Sequence, residues 1–151
     1  DVNYEVTSTV FESFYYDPRF KPSFAQKRMV EAGWLGRKSG RGFYDYREGA
    51  KNPEPKKDQE LGETIFNRIL TMLINEACDA VFMNIASVED VDLAMQNGVN
   101  YPKGLLKWGD EIGLKNVLDQ MTALQVTYRE DRYRPNPLLK KKVAEQENFY
   151  E

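Results

Sequence analysis

An all-α fold is what this sequence predicts, and three observations predict it. Residues 60–86, ELGETIFNRILTMLINEACDAVFMNIA, place apolar side chains every three or four positions, with neither Pro nor Gly after Gly62. Caps, glycines and prolines cut much of the remaining chain into segments of helical length. No alternation of apolar and polar residues lasts more than a few positions, so no strand of ordinary length is expected.

The long segment organises the rest. Ile65, Ile69, Met72, Leu73, Ala80 and Met83 make one face apolar, and Leu70, Ile74, Ala77, Cys78, Val81 and Phe82 widen it. Such a helix is expected to be covered from more than one side. Its charges at Glu60, Glu63, Arg68, Glu76 and Asp79 leave no uncharged run near the roughly 20 residues a membrane span requires, so no membrane partner is expected.

The other elements follow in chain order. Residues 3–16 carry Tyr4, Val10, Phe11, Phe14 and Tyr15 in an approximately helical pattern, which Asp17-Pro18 should end because a residue before Pro is pushed out of the α region. Ser23 can cap a helix running to Ala32, stopped by Gly33. Trp34 to Tyr46, WLGRKSGRGFYDY, reads as irregular with a short extended end at 43–46. Residues 47–59 hold two Pro, many charges and no large apolar residue, the composition of a linker. After the long helix, Ser87 opens SVED, a capping box in which Asp90 returns a bond to the Ser87 amide; that short helix should close at Asn97-Gly98. Residues 105–128 are expected to be helical with a break at Gly109 or Gly113. Asn136-Pro137 opens a last helix to about Gln146.

Composition narrows the function. The chain has 151 residues, enough for one ordinary domain or two small halves that share a core. Its 24 acidic and 21 basic residues give a net charge of -3, too balanced to draw in nucleic acid or an acidic membrane. A single Cys, Cys78, permits no internal disulfide and no Cys-based metal framework, and suggests a reducing, cytoplasmic setting. The chain begins at Asp1 rather than Met and shows no secretory leader, so sequence is expected ahead of it. It contains no His. Proton transfer near neutral pH most often uses His, and no carboxylate, Lys or Tyr cluster here has acid/base spacing. A complete enzyme is not expected.

The chain also resembles itself. YDPRFKPSFAQKRMVE, from Tyr16, matches REDRYRPNPLLKKKVAE, from Arg129, at a constant offset that pairs Arg19 with Arg132, Phe20 with Tyr133, Pro22 with Pro135, Lys27 with Lys140 and Val30 with Val143. Two ordinary helical corners would explain part of this. The aromatic-basic-Pro order at fixed spacing favours duplication. Residues 60–151 are then one whole copy, 47–59 a linker, and 1–46 the back half of an earlier copy whose front half precedes Asp1.

RMVEAGWLGRKSGRGFYDY at 28–46, then NRILTMLINEA, ASVEDVDLAMQNGVNYPKG, WGDEIGL and DRYRPNPLL, closely resemble the C-terminal helical domain of 3-hydroxyacyl-CoA dehydrogenases. The likeness is nearest to 3-hydroxybutyryl-CoA dehydrogenases that carry this domain twice. It implies a helical bundle of the kind in the C-terminal domain of 6-phosphogluconate dehydrogenase. It further implies a parent enzyme that oxidises an acyl-CoA substrate with NAD held on an N-terminal Rossmann domain, while a His-Glu pair removes the hydroxyl proton. Neither a G-x-G-x-x-G turn nor a His is present, so this chain is expected to hold no catalytic residue, no cofactor-binding residue and no metal ligand. Its expected tasks are domain packing or dimerisation, as in a homodimer of single-copy relatives, and closure of the substrate cleft. The alternative is a stand-alone helical assembly or acyl-CoA-binding module without catalysis.

The resemblance also offers a few residues. Asn67 matches the Asn of the family's V-N-R segment, which contacts substrate, and is the one substrate-binding candidate. An amide suits that work because it donates to an oxygen while staying neutral. Asn67 lies in the second copy, however, so a helix residue bonding a neighbouring loop is the stronger reading. Arg37, Lys38 and Arg41 among glycines are a phosphate cradle by composition. The spacing favours a closing loop with its bases in solvent and Phe43 and Tyr44 packed inward. Asn75 and Glu76 are expected to bond the turn before Ser87 or the loop at 98–102, and Asp110 to cap a helix. Leu105 replaces the family's usual Pro after Gly.

Overall fold

The structure, a computed structural model, describes residues 1–150. Among them the chain forms α-helices α1 (Val2–Ser13), α2 (Phe24–Glu31), α3 (Gln59–Phe82), α4 (Val88–Val99), α5 (Leu105–Ile112), α6 (Leu114–Tyr128) and α7 (Pro137–Glu145). Short 3-10 turns lie at Pro18–Phe20, Arg37–Ser39 and Asp131–Tyr133. The only β pairing among the described residues is two isolated bridges, Gly36 with Arg41 and Arg41 with Asp45. The all-α expectation holds. The chain divides into one unit at 1–57 and another from Asp58 onward.

In the second unit, Asp58 caps α3 by accepting from the Leu61 amide at 3.0 Å, and the helix buries only part of its apolar surface. Its inward face is Leu70, Ile74, Ala77 and Cys78, which form one core with Val91 of α4, Leu105 and Leu106 of α5, Leu114 and Val117 of α6, and Leu139 of α7. With α4, α5, α6 and α7 packed against it, α3 is covered from more than one side as expected, while the stripe of Leu61, Ile65 and Ile69, with Phe66 beside it, stays exposed. Covering Leu70 to Cys78 uses the partners this unit has, and the first two turns of α3 extend beyond them.

Local signals explain the other boundaries. Ser87 Oγ accepts from the Asp90 amide at 3.1 Å, half of the predicted capping box, and Asp90 makes no return bond to the Ser87 amide. α4 runs through Gly98 and stops at Asn100, whose φ of 58° ends the helix one turn later than predicted. The break between α5 and α6 is Gly113, at φ 87°, a region that favours glycine. Gly109 stays inside α5 against Ile74. Asn136 caps α7 by accepting from the Leu138 amide at 2.7 Å, with Pro137 at the first helical position.

The first unit packs α1 and α2 about the Pro18–Phe20 turn, and none of its residues is buried. α1 ends at Ser13, earlier than predicted, because Tyr15 and Tyr16 both take positive φ. The corner from Tyr16 to Trp34 repeats the backbone of the corner from Arg129 to Glu147. Tyr16 and Arg129 stand at φ 62° and 53°, and Gly33 and Gln146 at 72° and 58°. The Trp34 amide donates to the Met29 carbonyl at 2.8 Å as the Glu147 amide does to Lys142 at 2.9 Å. Lys21 to Pro18 and Arg134 to Asp131 form another such pair. These are the positions the sequence offset aligns.

Candidate functional site

The sites of interest are built from polar groups set at the edges of the α3 core. Asn75 sits just over one turn into the buried part of α3 and faces the corner before α7. Its Nδ2 donates to the Arg134 carbonyl at 3.1 Å, and its Oδ1 accepts from the Asn136 amide at 2.8 Å. Asn136 Nδ2 in turn donates to Asp79 Oδ1 at 2.7 Å. A buried amide must find both a donor and an acceptor, and an extended corner supplies one of each. The partner is therefore this corner, not the Ser87 turn or the loop at 98–102. One turn earlier, Thr71 donates to Gln120 Oε1 of α6 at 2.6 Å.

The second cluster was not visible in the sequence. Asp92 of α4 is buried, and its carboxylate accepts from the Leu106 amide at 2.8 Å, the Lys107 amide at 3.0 Å and the Tyr150 hydroxyl at 2.9 Å. It thus serves the buried N-terminal end of α5, which Gly104, with no side chain, leaves uncapped. A Cβ on Gly104 would stand 2.2 Å from Asp92 Cγ. Asp110 lies inside α5 and accepts from the amides of Phe149 and Tyr150 at 3.0 and 2.9 Å. It holds the end of the chain and caps nothing. Burial, then the bond to Asp92, pushes the Tyr150 hydroxyl well above its ordinary range. Burial likewise pushes the Cys78 thiol up to about 12, so it is inert at neutral pH.

Asn67 lies on the exposed side of α3. Its neighbours are anchored: Phe66 packs on the Trp108 ring at 5.9 Å, and the Arg68 guanidinium lies 4.5 Å from the Tyr128 ring and 5.0 Å from that of Tyr133. The Asn67 side chain makes no hydrogen bond among the described residues, so the expected loop bond is absent. In the first unit, the three bases at 37–41 do not converge. Arg41 stacks on Trp34 at 3.8 Å, Arg37 lies 5.6 Å from the Tyr46 ring, and Lys38 pairs with Asp1. Phe43 and Tyr44 are exposed, not packed inward. The loop bonds to itself, Gly36 amide to Arg41 carbonyl and Tyr46 amide to Gly40 carbonyl, which turns residues 43 and 44 outward.

Among the described residues no group of three or more acidic, Cys or His side chains is placed to hold a metal ion. No described helix is long and apolar enough to cross a membrane.

Comparison with known proteins fits this geometry. The family model described as the C-terminal domain of 3-hydroxyacyl-CoA dehydrogenase matches residues 1–46 and again 65–149. The 3-hydroxyadipyl-CoA dehydrogenase of Escherichia coli (strain K12) is 29% identical, covering 95% of this chain and 48% of its own length. That match spans 228 residues, more than this whole chain, so the relative carries extra residues inside the matched span. A 3-hydroxybutyryl-CoA dehydrogenase of Clostridioides difficile is 40% identical over 61% of this chain and 33% of its own length. Among solved structures, the 3-hydroxybutyryl-CoA dehydrogenase of Escherichia coli K12 superposes with a TM-score of 0.78 at 28% identity, over 95% of this chain and 48% of that one. The chain spans about half the length of these Escherichia coli proteins and a third of the shorter relative. Two matches to one family model, one on each unit, make this chain a member of the 3-hydroxyacyl-CoA dehydrogenase C-terminal domain family.

Proposed function

We propose that this chain is the C-terminal helical part of an NAD-dependent 3-hydroxyacyl-CoA dehydrogenase of the 3-hydroxybutyryl-CoA type, serving fatty-acid or aromatic-acid β-oxidation. Residues 1–46 are the back half of a first helical copy, 47–59 the linker and 60–151 the second copy. The observation that carries this is the pair of family matches on a chain that contains no His.

In that enzyme the work of this chain is packing. No residue here fits NAD, since the sequence holds no Gly-rich turn between a strand and a helix; a Rossmann domain outside this chain would hold the cofactor and supply the hydride chemistry. The stripe of Leu61, Ile65, Phe66 and Ile69 gives α3 an apolar surface at helical spacing that its own unit leaves exposed. One copy packs on another through such faces, as a homodimer of single-copy relatives would, and the bundle closes the acyl-CoA cleft against the nucleotide domain. Asn67, held outward between two anchored neighbours, is the one residue here with a counterpart among substrate-contacting groups. The enzyme works in the cytoplasm.

The test is direct. The 151-residue chain should show no oxidation of NADH with acetoacetyl-CoA, and the full-length protein should show it. Turnover by the chain alone, or none by the full-length protein, contradicts the proposal.

A further inference from the structure

The groove between α1 and α2 holds about 320 Å³ and is lined by Tyr4, Ser8, Phe11, Pro22, Ser23 and Lys27 among others. The offset that superimposes the two corners places Tyr4 and Ser8 at the positions of Val117 and Met121, which are buried in the second unit, where α6 packs against α3. It places the Lys21 carbonyl and Ser23 amide at those of Arg134 and Asn136, the two groups that Asn75 holds. In the first unit, neither the Lys21 carbonyl nor the Ser23 amide has a hydrogen-bond partner among the described residues. Ser8 Oγ is shielded from solvent and also has none. One groove thus combines an apolar floor, a shielded hydroxyl and an unpaired donor and acceptor at the spacing one side-chain amide bridges.

We infer that this groove is the seat of an amphipathic helix carrying an Asn, which clamps the Lys21 carbonyl and Ser23 amide as Asn75 clamps Arg134 and Asn136. The helix comes from the part of the full-length protein that precedes Asp1. The inference rests on reading residues 1–46 as the back half of a first copy, and it adds the residue that makes the joint. Apolar contact alone leaves a helix free to slide by a turn. An amide bonded to two fixed backbone groups sets its register.

The ¹⁵N-labelled chain would be titrated with a synthetic peptide of the full-length protein's stretch that aligns with Gln59–Phe82 one copy earlier. The expected result is saturable shifts at the amides of Ser23, Tyr4 and Ser8. Replacing the peptide's Asn at the Asn75 position with Ala should weaken binding about tenfold or more. The chain variant Ser23→Pro should weaken it similarly with an unchanged helical spectrum, because Ser23 stands at φ -70° and its amide has no partner to lose. Binding elsewhere, no binding, or undiminished binding after either substitution overturns the clamp and leaves the proposed function standing. A full-length sequence with no stretch ahead of Asp1 aligning with α3 overturns the proposed function, and the clamp with it.

Discussion

The corner at Tyr16–Trp34 and the corner at Arg129–Glu147 share a backbone and differ in what surrounds it. Both turn through a residue in the left-handed region, both form a 3-10 turn before the Pro, and both close their helix with the same pair of bonds. Yet Tyr133, Asn136 and Leu139 are buried, while Phe20, Ser23 and Gln26 at the same positions are not. The comparison separates two causes. Pro position, caps and stop residues set the local path without help from a core. Burial is added by α3, which spans the second corner and has no counterpart between Asp1 and the first.

The comparison can be broken by substitution, and the largest effect should come from the second unit. Asp92→Ala leaves two amides of α5 and the Tyr150 hydroxyl without their acceptor, and should cost about 3 kcal/mol or more in urea unfolding. Gly104→Ala should cost a similar amount, since its Cβ would overlap the same carboxylate. A loss under about 1 kcal/mol in either would mean that Asp92 does not organise the α4–α5 junction.

Asn75→Ala comes next, at about 2 to 3 kcal/mol, because it leaves the Asn136 amide and Arg134 carbonyl unpaired under α3. The paired caps sharpen the contrast. Asn136→Ala should cost about 1 to 2 kcal/mol, whereas Ser23→Ala, whose side chain makes no cap bond, should change stability by less than about 0.5 kcal/mol. Equal losses would show that burial does not divide the two corners.

Titration gives a smaller effect of defined sign. The Tyr150 hydroxyl is held above its usual range by burial and by Asp92, so the stability it contributes is full below about pH 10, the unfolded value, and falls as pH rises beyond it. Tyr150→Phe should flatten that alkaline decline, and an unchanged slope would remove the Asp92 bond from the account.

The helices were legible because their signals are local: Asn136-Pro137, Ser87, Gly113 and the spacing of Leu114, Val117 and Met121 each lie within one element. What was not legible was which partner each polar group would meet. Asp92 looks like any acidic residue of a short helix, and its role depends on Gly104 and Tyr150, which lie on other elements. Asn75 was legible as costly to bury, though its partner, beyond α6, was not. The periodicity of α3 marked one wide apolar face, and only the presence of α5, α6 and α7 decides that Leu70, Ile74, Ala77 and Cys78 are covered while Leu61, Ile65, Phe66 and Ile69 are not. The repeat was readable because the aromatic-basic-Pro order marks a backbone path. The Arg41–Trp34 stack escaped because a ring seven residues from a charged loop residue looks the same whether it faces inward or outward.

Amide hydrogen exchange of the 151-residue chain, residue by residue, tests most directly whether the second unit carries its own core while the first lacks a covering helix. The account predicts that the amides of the buried part of α3 and of α6 exchange only on global unfolding, and that those of α1 and α2 exchange at least a hundredfold faster, by about 3 kcal/mol of opening free energy. Protection in α1 and α2 equal to that in α3 would contradict it.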